Sequence, residues 1–167
     1  MIRRLAREVA LQALFQIDFT GVDGKTAVAA AMAEHDIKVH RVSEADAEEM
    51  TRLGETTKLS ALRTRETAEQ KKFNYVEEYA LLLVNGVLGT KDAVDGELGQ
   101  FATNWSVERM PATDRNILRI AAFEILHAEP KVAAGIAINE AVEIAKSYGT
   151  DESPRFVNGI LGKLVRK

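Results

Sequence analysis

At 167 residues, 46% hydrophobic and 28% charged, the chain can close one unaided hydrophobic core and falls outside the disordered and membrane-embedded classes. It has no cysteine, which excludes disulfide frameworks, thiolate metal sites and cysteine nucleophiles and fits a reducing cytosol. The net charge of −3 argues against a uniformly basic nucleic-acid binder, but the first ten residues carry +2 and the last thirteen +4, leaving the acidic excess between them.

The opening stretch, Met1 to Glu8, places charges where a secretion signal needs apolar residues, and no run approaches ~18 apolar residues, so a cytoplasmic chain is expected. From Arg3 to Asp18, Leu5, Val9, Ala13 and Ile17 recur every four residues, which predicts a helix closed by Thr20-Gly21 and Gly24. Arg3, Arg7, Leu11 and Phe15 form the adjoining row, so two guanidinium groups and an aromatic ring share one face.

Between about Lys25 and Lys72 an alanine-rich stretch gives way to charged sequence with sparse apolar residues, and weak packing is expected. Ser43 with Asp46 reads as a helix start. Residues 43–60 hold five acids and two bases, while 61–73 hold four bases and two acids, the pattern of an exposed helix supported by local charge pairs.

Asn74 reads as the start of a strongly apolar helix with Tyr79, Leu82, Leu83, Gly86 and Val87, closed by Gly89. A helix from about Lys91 to Asn104 presents Val94, Leu98 and Phe101 to the same core. Thr113 or Asp114 can cap the next, Arg115 to His127, which is apolar nearly all round and therefore central. After Pro130, Ile138, Ala141, Val142 and Ala145 form a buried stripe ending at Tyr148-Gly149. Ser153-Pro154 starts the last helix, with the stripe Phe156, Val157, Ile160, Leu161 and Leu164; Gly159 reads there as a close helix contact. No β alternation of useful length is present.

Four separated stretches then match one family pattern, in order. They are Arg3-Arg4-Leu5-Ala6-Arg7-Glu8-Val9-Ala10-Leu11-Gln12-Ala13-Leu14-Phe15, Ile117-Leu118-Arg119-Ile120-Ala121-Ala122-Phe123-Glu124-Ile125, Ile138-Asn139-Glu140-Ala141-Val142-Glu143-Ile144-Ala145-Lys146-Ser147-Tyr148-Gly149 and Arg155-Phe156-Val157-Asn158-Gly159-Ile160-Leu161. Over roughly residues 2–18 and 74–164 the chain resembles the NusB family of transcription antitermination factors. The resemblance implies an all-α fold of two packed helical bundles in a single domain spanning 1–167. Residues 43–72 are expected to be an inserted, charged helical arm, because the segment after the first motif is longer than the family pattern.

The resemblance also implies partners: NusE, a ribosomal protein with a second role in transcription, and single-stranded boxA-type RNA of ribosomal RNA operons, held so that the RNA polymerase antitermination complex stays processive. The RNA surface carries over onto Arg3, Arg4 and Arg7, with Gln12 and Phe15 on the continuation of that helix, and onto Glu152, Arg155 and Phe156 in the segment leading into the last helix. Leu5 stands where many relatives continue the arginine run. Guanidinium forks suit phosphates and base edges, and a neighbouring ring suits an unpaired base. The competing reading of Phe15 is core packing, and that of the arginines a solvated surface.

Lys146 and Ser147 lie on the polar face opposite the buried stripe of their helix, placed either to touch RNA or simply to meet solvent. For the protein partner the resemblance points to Glu108 and Asp114, an acidic edge suited to a basic ribosomal protein, although capping explains Asp114 equally well. A homodimer of the free protein stays open.

Catalysis is not expected. His35 and His40 are five apart, without metal-helix spacing, His127 stands alone, and no glycine-rich phosphate loop exists. Glu140 and Glu143 read as solvated surface carboxylates, and neither metal nor cofactor is expected. The rival to an RNA-binding adaptor is a helical scaffold that sequesters NusE without recognising RNA.

Overall fold

The computed structural model of the protein describes residues 2–35, 56–103 and 106–167, with residues 56–68 described by their backbone alone. Among these the regular structure is entirely helical: α1 (Ile2–Thr20), α2 (Gly24–Glu34), α3 (Thr56–Gly89), α4 (Lys91–Gly99), a short 3-10 turn (Val107–Arg109), α5 (Ala112–Leu126), α6 (Ala134–Tyr148) and α7 (Ser153–Leu164).

Helices α1, α2 and α3 pack on one another as the first bundle, and α4 to α7 form the second. Helix α5 joins them, touching α1, α3, α4, α6 and α7. Its run from Ile117 to Phe123 is buried on every side, as its nearly unbroken apolar sequence requires. Leu83, Leu98, Leu118 and Leu161, one from each of four helices, are fully enclosed. Burial contributes roughly 1.5–3 kcal/mol for each such side chain.

Several expected boundaries shift. The alanine-rich stretch does not pack weakly: Ala27, Val28, Ala31 and Met32 of α2 are core residues, because small side chains let α2 lie close against α1. The helix expected to open at Asn74 begins at Thr56, and Asn74 is interior to it, its Oδ1 accepting from Gln70 Nε2 at 2.6 Å. Residues 43–55 of the expected arm, including its Ser43 start, lie outside the described residues, while 56–72 belong to α3. Helix α4 stops at Gly99 rather than Asn104.

Neither Thr113 nor Asp114 caps α5; both lie within its first turn, and Pro111 occupies the capping position without a side-chain bond. Gly159 is not a close contact, since a Cβ there would meet open space. The tight approach is at Gly86 on α3, where a Cβ would stand 2.1 Å from Phe123 Cζ on α5.

A polar network pins the end of α1 to the second bundle. Arg119, 4% exposed, donates to both Asp95 oxygens at 2.8 and 2.7 Å, and Asp18 accepts from Arg115 at 3.0 Å and Asn116 at 2.9 Å. Burial works against the Asp18 charge, but the bonds from Asn116 and Arg115 prevail and hold its carboxyl below the usual range.

Candidate nucleic-acid interface

Helix α1 turns Ala6, Val9, Ala10, Ala13 and Leu14 into the core, and this fixes where its arginines emerge. Arg3 is exposed, its Nε donating to Tyr75 Oη on α3 at 2.8 Å. Arg4, with its side chain 39% exposed, donates from Nε and Nη2 to the two oxygens of Glu140 on α6 at 2.8 and 2.7 Å. These bonds hold the Glu140 carboxyl below the usual range.

Arg7 departs from the expectation of a presented row. It is 3% exposed, and its Nε and Nη2 donate to Glu124 of α5 at 2.9 Å each. Its Nη1 lies 3.6 Å from Glu140, and the Tyr79 hydroxyl donates to the same Glu124 carboxylate. Burial, and then the neighbouring Glu124 carboxylate, push the Tyr79 phenol well above its ordinary value. The row from Arg3 to Phe15 dips into the core at Arg7 and Leu11: Leu11 is apolar, and Arg7 can be buried beside it because Glu124 offers a counter-charge there.

Phe15 re-emerges at 42% exposure with Phe19 beside it, ring centroids 4.8 Å apart, so the core-packing reading of Phe15 does not hold. The two rings, with Gln12, Thr113 and Tyr148, line a cleft of about 540 Å³. A second cleft, of about 580 Å³, gathers Glu152, Arg155 and Phe156 with Asp114 and Thr150. Thr113 lines the first cleft and Asp114 the second, so the two flank the first turn of α5, with Tyr148 in one and Thr150 in the other.

The remaining expected residues are more dispersed. Lys146 and Ser147 are exposed on α6, where Lys146 pairs with Glu143 at 2.7 Å and the Ser147 hydroxyl donates to the Glu143 carbonyl at 3.4 Å. Glu108 is exposed, its carbonyl accepting from Arg115 at 3.1 Å. Asp114 is 5% exposed with Oδ1 unpartnered, so of the expected acidic edge only Glu108 stands on open surface.

Sequence reasoning missed Tyr75, Tyr79, Glu124 and Phe19, and read Glu140 as a solvated carboxylate. One signal was available: Glu124 interrupts the otherwise apolar run Ile120-Ala121-Ala122-Phe123-Glu124-Ile125-Leu126, and a buried acid in such a helix requires a cationic partner. The arrangement supplies two arginines held at an exposed edge and two rings open to solvent, the parts needed to bind phosphate and stack a base.

The NusB family profile matches residues 48–166. The transcription antitermination protein NusB of Symbiobacterium thermophilum is 41% identical over 169 aligned positions, covering 99% of this chain and 90% of that protein. Among solved structures, NusB of T. maritima superposes with a TM-score of 0.69 at 26% identity, covering 99% of this chain and 91% of that one. A complex of the antitermination factors NusB and NusE with double-stranded RNA contains a chain of the same fold, at TM-score 0.68 and 19% identity, covering 99% and 96% respectively. With more than half its length matched by the family profile and near full-length similarity to a named relative, the chain belongs to the NusB family of transcription antitermination proteins.

Proposed function

We propose that this chain is an RNA-binding adaptor of transcription antitermination, which pairs with NusE to hold boxA-type RNA and keep RNA polymerase processive on ribosomal RNA operons. The observation that carries the reading is the outward display of Arg3, Arg4 and Phe15 from one helix of a NusB-family chain. A chain of the same fold has been solved together with NusE and double-stranded RNA. The arginine edge supplies charge-assisted bonds to phosphates and the Phe15–Phe19 pair a stacking platform, with Gln12 beside it.

Arg155, Phe156 and Glu152 add to that surface beside the first turn of α5, with Lys146 and Ser147 on its α6 side, and Glu108 faces the basic protein partner, the buried Asp114 standing behind that edge. Arg7 contributes from within by fixing α1 rather than by touching RNA. The chain works without catalysis or cofactor, in the cytoplasm. Residues 43–72 are read as an arm added to the single NusB-type domain.

The test is binding of labelled boxA-like single-stranded RNA with and without NusE, comparing wild type with Arg3→Ala/Arg4→Ala across salt. The reading requires tighter binding by the pair, weakening in the variant, and a shallower salt slope. A firm NusE complex with no RNA binding would replace it with the sequestering scaffold.

A further inference from the structure

Tyr75 lies outside every motif that marks the interface, yet its hydroxyl accepts the Nε hydrogen of Arg3 at 2.8 Å across the junction of α1 and α3. Its ring stacks on Tyr79 at 6.2 Å between centroids and 18° between planes, and the Tyr79 ring lies 5.8 Å from the Arg3 guanidinium carbon. Arg3 is thus held at Nε and attracted to a ring face, while both of its terminal nitrogens have no partner among the described residues.

Arg4 shows the same device in charged form, since Glu140 takes Nε and one hydrogen of Nη2. The end-on fork between Nη1 and Nη2 remains available. Tyr75 does its part without placing a negative charge beside an anionic ligand. A long cationic side chain otherwise loses rotamer freedom when it engages a phosphate, and prior anchoring removes part of that loss.

We propose that Tyr75 is a positioning residue of the RNA interface, holding the Arg3 guanidinium so that its outer nitrogens meet a phosphate without rearrangement. This deepens the RNA reading above and rests on it. The tyrosine acts through Arg3 alone, so its effect must vanish when Arg3 is absent.

The experiment uses the full chain with NusE and labelled boxA-like single-stranded RNA, comparing Tyr75→Phe, Arg3→Ala and the double variant across salt, with thermal midpoints alongside. Tyr75→Phe keeps the ring and should weaken binding about 3- to 10-fold with the salt slope unchanged, because the phosphate contact is still made. Arg3→Ala should make the slope shallower by about 0.7, and Tyr75→Phe should then have no further effect.

Wild-type affinity in Tyr75→Phe, alongside weakened binding in Arg3→Ala, would overturn the positioning role and leave the interface standing. An equal loss from Tyr75→Phe in the Arg3→Ala background would overturn it too, since the tyrosine would then act on RNA or the fold directly. Undiminished binding by Arg3→Ala/Arg4→Ala would overturn the interface reading itself, and the positioning role with it.

Discussion

Arg7 and Glu124 face each other across the boundary between α1 and α5 with side chains 4% and 1% exposed, joined through two guanidinium nitrogens. Removing one partner of such a buried pair leaves the other charged and unsolvated. Glu124→Ala should therefore destabilise the fold by about 3–5 kcal/mol, read from urea unfolding. Arg7→Met/Glu124→Leu, which removes both charges, should recover most of that loss; a double variant as unstable as Glu124→Ala would show that packing, not the stranded charge, sets the cost.

Two glycines on different helices should respond with opposite signs. Gly86→Ala forces the Phe123 ring to move, because the new Cβ would stand 2.1 Å from Cζ, and should cost about 1–2 kcal/mol after its gain in helix propensity. Gly159→Ala enters open space on α7 and should stabilise by roughly 0.5–1 kcal/mol. Thermal midpoints moving in the same direction would contradict the packing described for α3 and α5.

Acid should weaken the fold through identified carboxylates. Glu140 is held below its ordinary value by the bonds from Arg4, and Asp18 by those from Asn116 and Arg115 against the effect of burial. In the unfolded chain both titrate near about pH 4, so below that point the unfolded state takes up protons that the folded state still refuses. Their contribution is complete about one pH unit above those unfolded values and is lost progressively as pH falls through the lower folded-state values. Urea midpoints measured from pH 7 to pH 3 should fall, and Glu140→Gln should start lower at pH 7 and fall less steeply; a variant as acid-sensitive as wild type would remove Glu140 from this account.

Phe15 should matter to RNA and little to folding. Being 42% exposed and packed on Phe19, its truncation to alanine should cost about 1 kcal/mol, well short of unfolding the chain. If a base stacks there, boxA-like RNA should bind weaker by about 1–3 kcal/mol, with an unaltered salt slope because no charge is lost. Filter binding across salt separates this from an arginine loss, and a stable variant with full RNA affinity would move the stacking platform elsewhere.

The helices legible in the sequence were those whose apolar rows are dense: α1, α5, α6 and α7 lie where Val9, Leu118, Ala141 and Val157 repeat with their neighbours. The first half of α3 was legible as a helix from its charge pairs, but not its continuity with the second half, because a helix with few apolar residues has no stripe to carry across Asn74. Asn74 resembled a helix start because asparagine favours caps and the apolar row begins just after it; within the helix its side chain instead accepts from Gln70, one turn earlier.

At the interface, composition showed which residues carry charge but not which way each faces. Arg3 and Arg7 occupy the same row; what separates them is Glu124, which lies 117 positions from Arg7 in sequence and approaches only when α5 docks. Gly86 and Gly159 differ likewise by what lies opposite. Leu83 and Val87 place Gly86 beside a buried stripe, whereas Gly159 lies off the stripe of Val157, Ile160 and Leu161.

The reach of α5 to five other helices has a consequence for how the molecule breathes. Neither bundle can open fully without exposing a face of that helix, so the amide hydrogens of Ile117 to Phe123 should exchange with solvent only through global unfolding. The first turn of α1, from Ile2 to Leu5, is tied down by side chains alone before Ala6 enters the core, and its amides should exchange by local fraying. The Arg3 and Arg4 guanidinium groups are therefore held by Tyr75 and Glu140 on a turn whose own backbone opens readily, above a hub that stays closed.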